Sequence, residues 1–161
     1  MKFSDKTISV LKNFSTINQS ILFKKGSKLR TISVMKNILA EATITEDLPR
    51  DFGIYDLNLF LSACTNLFDS PDLDLSNEDY VVIREGAKKQ TIFFADPNVI
   101  VSPPEKGITF PSEDVCFELS TEELNSLLKA ASINQLPDLS AVGEAGVVKL
   151  VVRDKKNNTS N

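Results

Sequence analysis

The residue types that most often carry out catalysis or hold metal ions are sparse in this sequence. It contains no histidine, which excludes a Ser-His-Asp triad and any histidine-ligated metal site, and it has no glycine-rich phosphate-binding loop. Acidic residues cluster at 69–74 and 122–123. Either cluster could serve a cation-dependent nuclease, but the first is typical of a polar turn and the second of a helix N-terminus. We therefore expect no catalytic residue, metal site or cofactor, and keep the nuclease as the enzymatic alternative.

The two cysteines, Cys64 and Cys116, both lie among apolar residues and far apart in the chain. This favours two buried, reduced thiols over a disulfide or a metal site, and it indicates a reducing compartment. The first residues lack the apolar core of a signal peptide. No apolar run reaches the length of a membrane span, so we expect no membrane partner.

The basic side chains are distributed unevenly. Residues 1–36 contain eight of them and one acid, Asp5, for a net charge of +7, whereas the other 125 residues contain ten basic and twenty-one acidic groups, for a net charge of −11. The eight are Lys2, Lys6, Lys12, Lys24, Lys25, Lys28, Arg30 and Lys36. The separation predicts one positive face on an acidic body, which could bind a polyanion. A module that docks an acidic protein remains an alternative.

The first helix places part of this charge on one side. Ile8, Leu11, Phe14 and Ile17 form an apolar stripe at helical spacing. Lys2, Lys6 and Lys12 fall on the opposite face, together with Ser9, Asn13 and Thr16. Lysines without accompanying base-reading side chains suit contact with phosphates at any sequence. A solvated surface helix is the simpler alternative.

A faint repeat at a spacing of 116 residues sets the architecture. The tripeptide at 17–19, Ile-Asn-Gln, recurs at 133–135, and the apolar helical positions before each copy correspond. Ser120 and Glu123 form a capping box, whereas Ser4 begins the first helix with Thr7 in place of the glutamate. We expect a first domain at 1–110 and a second at 111–161 that is incomplete. The repeat spacing implies a continuation of roughly 60–70 residues.

The remaining elements predict an α+β unit with two helices on one face of an antiparallel sheet. Asp56 should cap a second helix over 57–67, whose inward side chains include Leu57, Phe60 and Leu61. A hairpin is expected after each Ile-Asn-Gln. The first would join strands 20–25 and 28–34 through Gly26; the second would join 136–142 and 147–153 through 143–146. Further strands are predicted at 39–44, 51–55, 79–84 and 90–95, and a linker at 102–107.

Several of these segments resemble the sliding clamps of T-even-type phage DNA polymerases. The longest similar segments are 7–18 (TISVLKNFSTIN) and 54–61 (IYDLNLFL). Shorter ones, 95–97, 110–111 and 124–129, follow in the family's order. The resemblance covers essentially the whole chain. It implies the tandem clamp fold, with helices lining a central hole for duplex DNA and sheets outside.

The same resemblance implies the partners and the site. They are duplex DNA bound without regard to sequence, a viral DNA polymerase, a clamp loader that uses ATP and, in the full-length form, two further copies in a homotrimeric ring, all in the cytoplasm of an infected bacterium. It assigns Lys6 and Lys12, and less directly Lys2 and Lys129, to the DNA-facing surface. Client peptides with apolar anchors would dock near the linker, for which the candidate residues are Ile100, Val101 and Pro104.

Overall fold

The computed structural model describes residues 1–106, 116–144 and 146–157. The chain divides into two compact units, Met1–Gly107 and Ile108–Asn161. The domain boundary expected at 110–111 lies outside the described residues. The elements of the first unit are α1 (Asp5–Ile17), β1 (Ile21–Phe23), β2 (Gly26–Ile32), β3 (Leu39–Leu48), β4 (Phe52–Ile54), α2 (Leu57–Ser62), β5 (Asp72–Asp74), β6 (Tyr80–Glu85) and β7 (Lys88–Phe93).

Helix α1 begins at the predicted cap, because the Ser4 side chain accepts a hydrogen bond from the Thr7 amide. Its buried face is rotated from the predicted stripe. Leu11 and Phe14 are buried as expected, but Ile8 and Ile17 are only half-buried. Thr7 and Asn18 are buried instead, because each hydroxyl or amide finds hydrogen-bond partners inside the unit.

Helix α2 also begins at its predicted cap, where the Asp56 carboxylate accepts from the Leu59 amide at 2.8 Å. Its inward side chains, Leu57, Phe60 and Leu61, are buried as predicted. The helix then widens into one π-helical turn, Ala63–Leu67. Helix α1 packs against α2 and against strands β2 and β3, so two helices cover one face of antiparallel strands.

The first predicted hairpin is wrong. Strand β1 pairs with β4, and β2 pairs with the longer β3, each antiparallel. The pairing of β1 with β4 stacks Phe23 on Phe52 with ring centroids 4.5 Å apart, and Gly26 turns the chain away with a φ of 106°. The free energy gained by burying this aromatic pair outweighs the lower entropic cost of the shorter loop in a local hairpin. Strands β5, β6 and β7 form a three-stranded antiparallel sheet.

The two cysteines differ in environment. Cys64 is buried in the core of the first unit, and this burial raises the pKa of its thiol to about 12. Cys116 is exposed, so its predicted burial is wrong. Its apolar neighbour Phe117 is exposed as well, which shows that a short apolar sequence does not by itself place a residue in a core.

The described part of the second unit contains α3 (Thr121–Ile133), β8 (Asp138–Glu144) and β9 (Val147–Arg153). The predicted capping box is present at the start of α3. Strands β8 and β9 form the second predicted hairpin, with Gly146 at a φ of 78° in its turn. Helix α3 packs against β9, and Leu124 and Leu127 on that side are half-buried.

Candidate nucleic-acid interface

The exposed face of α1 has the composition predicted from the sequence. Lys6, Ser9, Lys12, Asn13 and Thr16 are all exposed. The buried side chains on the opposite side fix which way they face, because a helix turned through half a revolution would bury two ammonium groups. This face is therefore held outward by the packing beneath it.

Two of its lysines are electrostatically available. The ammonium groups of Lys6 and Lys12 have no salt bridge or hydrogen bond within the part of the chain that the structure describes. Asp5, the one acid among residues 1–36, is exposed at the start of the same helix. At 100° per residue it falls beside Ser9 and Lys12. It reduces the net charge of this surface but forms no ion pair with either lysine.

The other basic residues of 1–36 are less available than the charge count indicates. Lys24 forms a salt bridge with Asp51 at 2.8 Å. Lys28 and Arg30 lie 3.3 and 3.0 Å from Glu41. The acids come from β3 and from the turn before β4, which fold beside the basic strand. The charge count assigned these bases and acids to different segments of the chain. The strand pairing brings them into contact.

The Lys24–Asp51 contact also shifts the protonation equilibria of both groups. The hydrogen bond from Lys24 lowers the pKa of the Asp51 carboxyl, assisted by a hydrogen bond from the Lys25 amide, and the same contact raises the pKa of Lys24. Both groups stay ionised near neutral pH. Because both are about half exposed, solvent screens the pair, and it is a surface contact of small energy.

Lys2 is held at the edge of the helical face. Its Nζ donates to Ser70 Oγ at 3.1 Å across a cleft of about 480 Å³. The cleft is lined by α1 on one side and by the segment after α2 on the other, and Lys12, Asp5 and Asp69 also border it. Two lysines and two aspartates leave it with no net charge. Lys2 can exchange its hydroxyl partner for a phosphate oxygen, but the cleft itself does not concentrate anions.

In the second unit, Lys129 is exposed on α3. The neighbouring side chains on that face, Glu122, Asn125 and Ser132, are also exposed, and one of them is acidic. Lys129 has no ion pair among the described residues. This face is chemically similar to that of α1 but carries one lysine instead of two.

The three candidate client-binding residues differ in accessibility. Ile100 is buried, and its Cδ1 lies 2.6 Å from the position that a Cβ on Gly53 would occupy. Val101 is half-buried and its carbonyl accepts from the Asn18 amide, whereas Pro104 is exposed and its carbonyl accepts from Arg30. Ile100 therefore packs inside the unit, and only the later residues of the segment face outward.

A groove of about 230 Å³ lies beside that segment. It is lined by Leu22, Lys24, Arg30, Ser102, Pro103 and Glu105. Its apolar walls could accept an apolar anchor. Its two basic side chains are already paired with Asp51 and Glu41. Leu22 and Pro103 were missed from the sequence, because the proximity of β1 to the linker follows from strand pairings that the sequence did not reveal.

Within the ranges 1–106, 116–144 and 146–157, no three His, Cys, Asp or Glu side chains lie close enough to hold a metal ion. In the acidic run at 69–74, Asp74 accepts from the Ser76 amide and lies 3.8 Å from Arg84. The Asp74 carboxylate therefore stabilises a strand end. No helix among the described residues is long and apolar enough to cross a membrane.

Comparison with known proteins gives consistent similarities. The DNA polymerase processivity factor family matches residues 2–102. A protein of Vibrio phage KVP40 named "Sliding clamp" is 37% identical over 149 residues, which are 91% of this chain and 66% of that protein. The sliding clamps of Escherichia phage RB69 and Enterobacteria phage T4 are 32% and 33% identical over 150 residues, which are 92% of this chain and 64% of each. The chain thus spans just under two thirds of the length of these relatives.

Proposed function

The chain belongs to the family of DNA polymerase processivity factors, and from this premise we propose that it is part of a sliding clamp that encircles duplex DNA and tethers a replicative polymerase to its template. The observation that carries the proposal is the face of α1, where Lys6 and Lys12 are exposed and unpaired among the described residues. The relatives named sliding clamps support the same function.

The mechanism requires little chemistry from the protein. Lysines attract the phosphate backbone through long-range charge and release counterions on contact, and neither effect depends on base sequence. Long, flexible side chains on the exposed face of a rigid helix can pass from one phosphate to the next. The net charge of −4 opposes adsorption elsewhere on the surface. Retention on DNA would thus come from enclosure, while the α1 lysines centre the duplex.

The proposal includes the assembly and the partners. Residues 1–110 would be one clamp unit and residues 111–161 part of a second, and three copies of the clamp subunit would close a ring. Lys2 and Lys129 would be secondary phosphate contacts. A clamp loader would open the ring, and the polymerase would dock a peptide with apolar anchors in the groove beside Pro103. The protein would act in the cytoplasm of the infected host without catalytic activity of its own.

The test is a change of charge on α1. Lys6→Glu combined with Lys12→Glu should shorten the products of primer extension with loader and polymerase. The effect should be greater at moderate salt than at low salt, because screening weakens the remaining contacts. If six lysines in a closed ring all touched phosphates, log affinity would fall with log salt at a slope of about −5. Contacts through water would give a shallower slope.

The matched control is Lys36→Glu with Lys106→Glu. It changes the net charge by the same amount at exposed positions outside α1. The control should leave product lengths unchanged. Equal product lengths for the α1 variant and the wild type at both salt concentrations would show that this helix does not meet DNA.

A further inference from the structure

The cap of α1 contains a carboxylate from a distant strand. Glu46 of β3 accepts a hydrogen bond from the Ser4 amide through one oxygen, and from Thr7 Oγ1 at 2.6 Å through the other. Ser4 Oγ accepts from the Thr7 amide at 3.3 Å and donates to Thr7 Oγ1 at 3.1 Å. Ser4, Thr7 and Glu46 therefore form a closed ring of hydrogen bonds at the first turn of α1.

The cap of α3 in the second unit shows which interaction the hydrogen bonds of Ser4, Thr7 and Glu46 replace. In α3, Glu123 accepts from the amide of the cap residue Ser120 at 3.1 Å, and its own amide donates to Ser120 Oγ at 3.2 Å. That carboxylate belongs to the helix itself. In α1 the equivalent position is Thr7, whose side chain cannot reach back to the cap amide. Glu46 takes that amide, and the Thr7 hydroxyl connects the carboxylate to the helix.

We propose that Glu46 is a positioning residue that supplies the missing half of the α1 capping box from β3 and thereby fixes the basic helix on the sheet. A capping box within one helix stabilises its first turn wherever the helix lies. A carboxylate 42 positions away in sequence can do so only when α1 is seated on β3. The cap and the seating of the helix are thus one interaction. The consequence of this positioning, contact of Lys6 and Lys12 with DNA, rests on the proposed function.

The surroundings favour the ionised carboxylate that this role needs. Burial alone would raise the pKa of Glu46, but hydrogen bonds from Thr7 and Ser4 outweigh it and lower the pKa to about 2. The positive end of the α1 dipole favours the same charged form. Thr7 is fully buried, so water cannot readily replace the carboxylate as the partner of its hydroxyl.

Native-state hydrogen exchange of the full chain tests the cap without DNA. Glu46→Ala should speed exchange of the Ser4 and Thr7 amides by about tenfold, the equivalent of a cap lost. Glu46→Gln keeps the side-chain size and one acceptor oxygen, so its effect should be smaller. The control Asp47→Ala removes an exposed carboxylate from the adjacent position of β3 and should leave both amides unchanged. Equal rates in Glu46→Ala and Asp47→Ala would overturn the proposal.

A rescue separates capping from packing. Thr7→Glu alone places a second carboxylate beside Glu46 and should speed exchange. Thr7→Glu with Glu46→Ala restores the arrangement of α3 and should slow exchange below that of Glu46→Ala. Thr7 is fully buried, so the double variant is compared with both single variants. A double variant that exchanges no more slowly than Thr7→Glu and Glu46→Ala would overturn the capping role.

Duplex binding by the same variants tests the positioning. Glu46→Ala keeps both lysines but should weaken association about threefold at moderate salt, and the double variant should restore it. Unchanged binding by Glu46→Ala, in a protein whose Lys6→Glu, Lys12→Glu variant does lose binding, would refute the positioning role. Loss of the lysine effect would instead refute the proposed function, and the exchange results would still decide the cap.

Discussion

Substitutions at two neighbouring positions, Leu11 and Ile8, can identify which face of α1 packs against the core. Leu11 is completely buried, whereas Ile8 is only half-buried, although the sequence pattern places both in one apolar stripe. Replacing a buried leucine by alanine removes its transfer free energy and leaves a cavity, which together cost about 2–5 kcal/mol. The well-packed site of Leu11, beside Phe14 and the other core residues, belongs in the middle of that range. Ile8→Ala should cost about 1 kcal/mol, because part of that side chain already contacts water.

The chain offers a convenient probe for this measurement. It has no tryptophan, and its two tyrosines, Tyr55 and Tyr80, both lie in the first unit, so tyrosine fluorescence in denaturant melts reports that unit alone. Leu11→Ala should lower the midpoint with little change in m. A loss below about 0.5 kcal/mol for Leu11→Ala, or a larger loss for Ile8→Ala than for Leu11→Ala, would mean that α1 packs through a different face.

Three further predictions concern acid stability, backbone packing and thiol reactivity. The folded pKa of Glu46 is about 2, below its ordinary value of 4.5, so its stabilisation is present above pH 4.5 and is lost as the pH falls towards 2. The full pKa shift would correspond to about 3 kcal/mol of folding stability. Partial exposure of the side chain reduces this contribution to about 1–2 kcal/mol. The stability difference between wild type and Glu46→Gln should therefore narrow in melts between pH 5 and pH 2, and a constant difference would contradict the linkage. Gly53→Ala should cost about 1–3 kcal/mol, because its Cβ would lie 2.6 Å from Ile100 Cδ1 and 2.8 Å from the Ala95 carbonyl oxygen. In the Ile100→Ala background, Gly53→Ala should cost less than in the wild-type chain but should still lower stability in the same melts, and no cost in that background would show that the backbone contact is not limiting. A maleimide at neutral pH should label one thiol, that of Cys116, in the native chain and both thiols in denaturant. Cys116→Ser should abolish native labelling. Native labelling of Cys64 would contradict its burial.

The sequence predicted local features well because their causes are local. Ser4, Asp56 and Ser120 were recognised as caps, since the interaction needs only a side chain and an amide a few residues away. The second hairpin was found for the same reason. The exposed lysines of α1 followed from helical periodicity alone.

The features that were missed depend on pairings distant in sequence. The partner of β1 is β4, about thirty residues later, and nothing in a local pattern distinguishes it from β2. The salt bridges of Lys24 and Arg30 depend on those pairings, so the charge of the first 36 residues overstated the positive surface. Thr7 and Asn18 lie outside the apolar stripe predicted for α1, yet both are buried, because they bond to Glu46 and Val101, 39 and 83 positions away.

The repeated tripeptide Ile-Asn-Gln shows how local sequence and distant contacts determine different features. In the first unit the Asn18 side chain is buried, donates to the carbonyls of Ile32 and Val101, and accepts from Ser20. In the second unit Asn134 is exposed and donates to Ala130, one turn back in its own helix. An asparagine at a helix end can serve either arrangement, because its amide donates and accepts with little constraint on the partner. The two identical tripeptides therefore have different environments, because the contacts of each asparagine depend on which strands lie within reach.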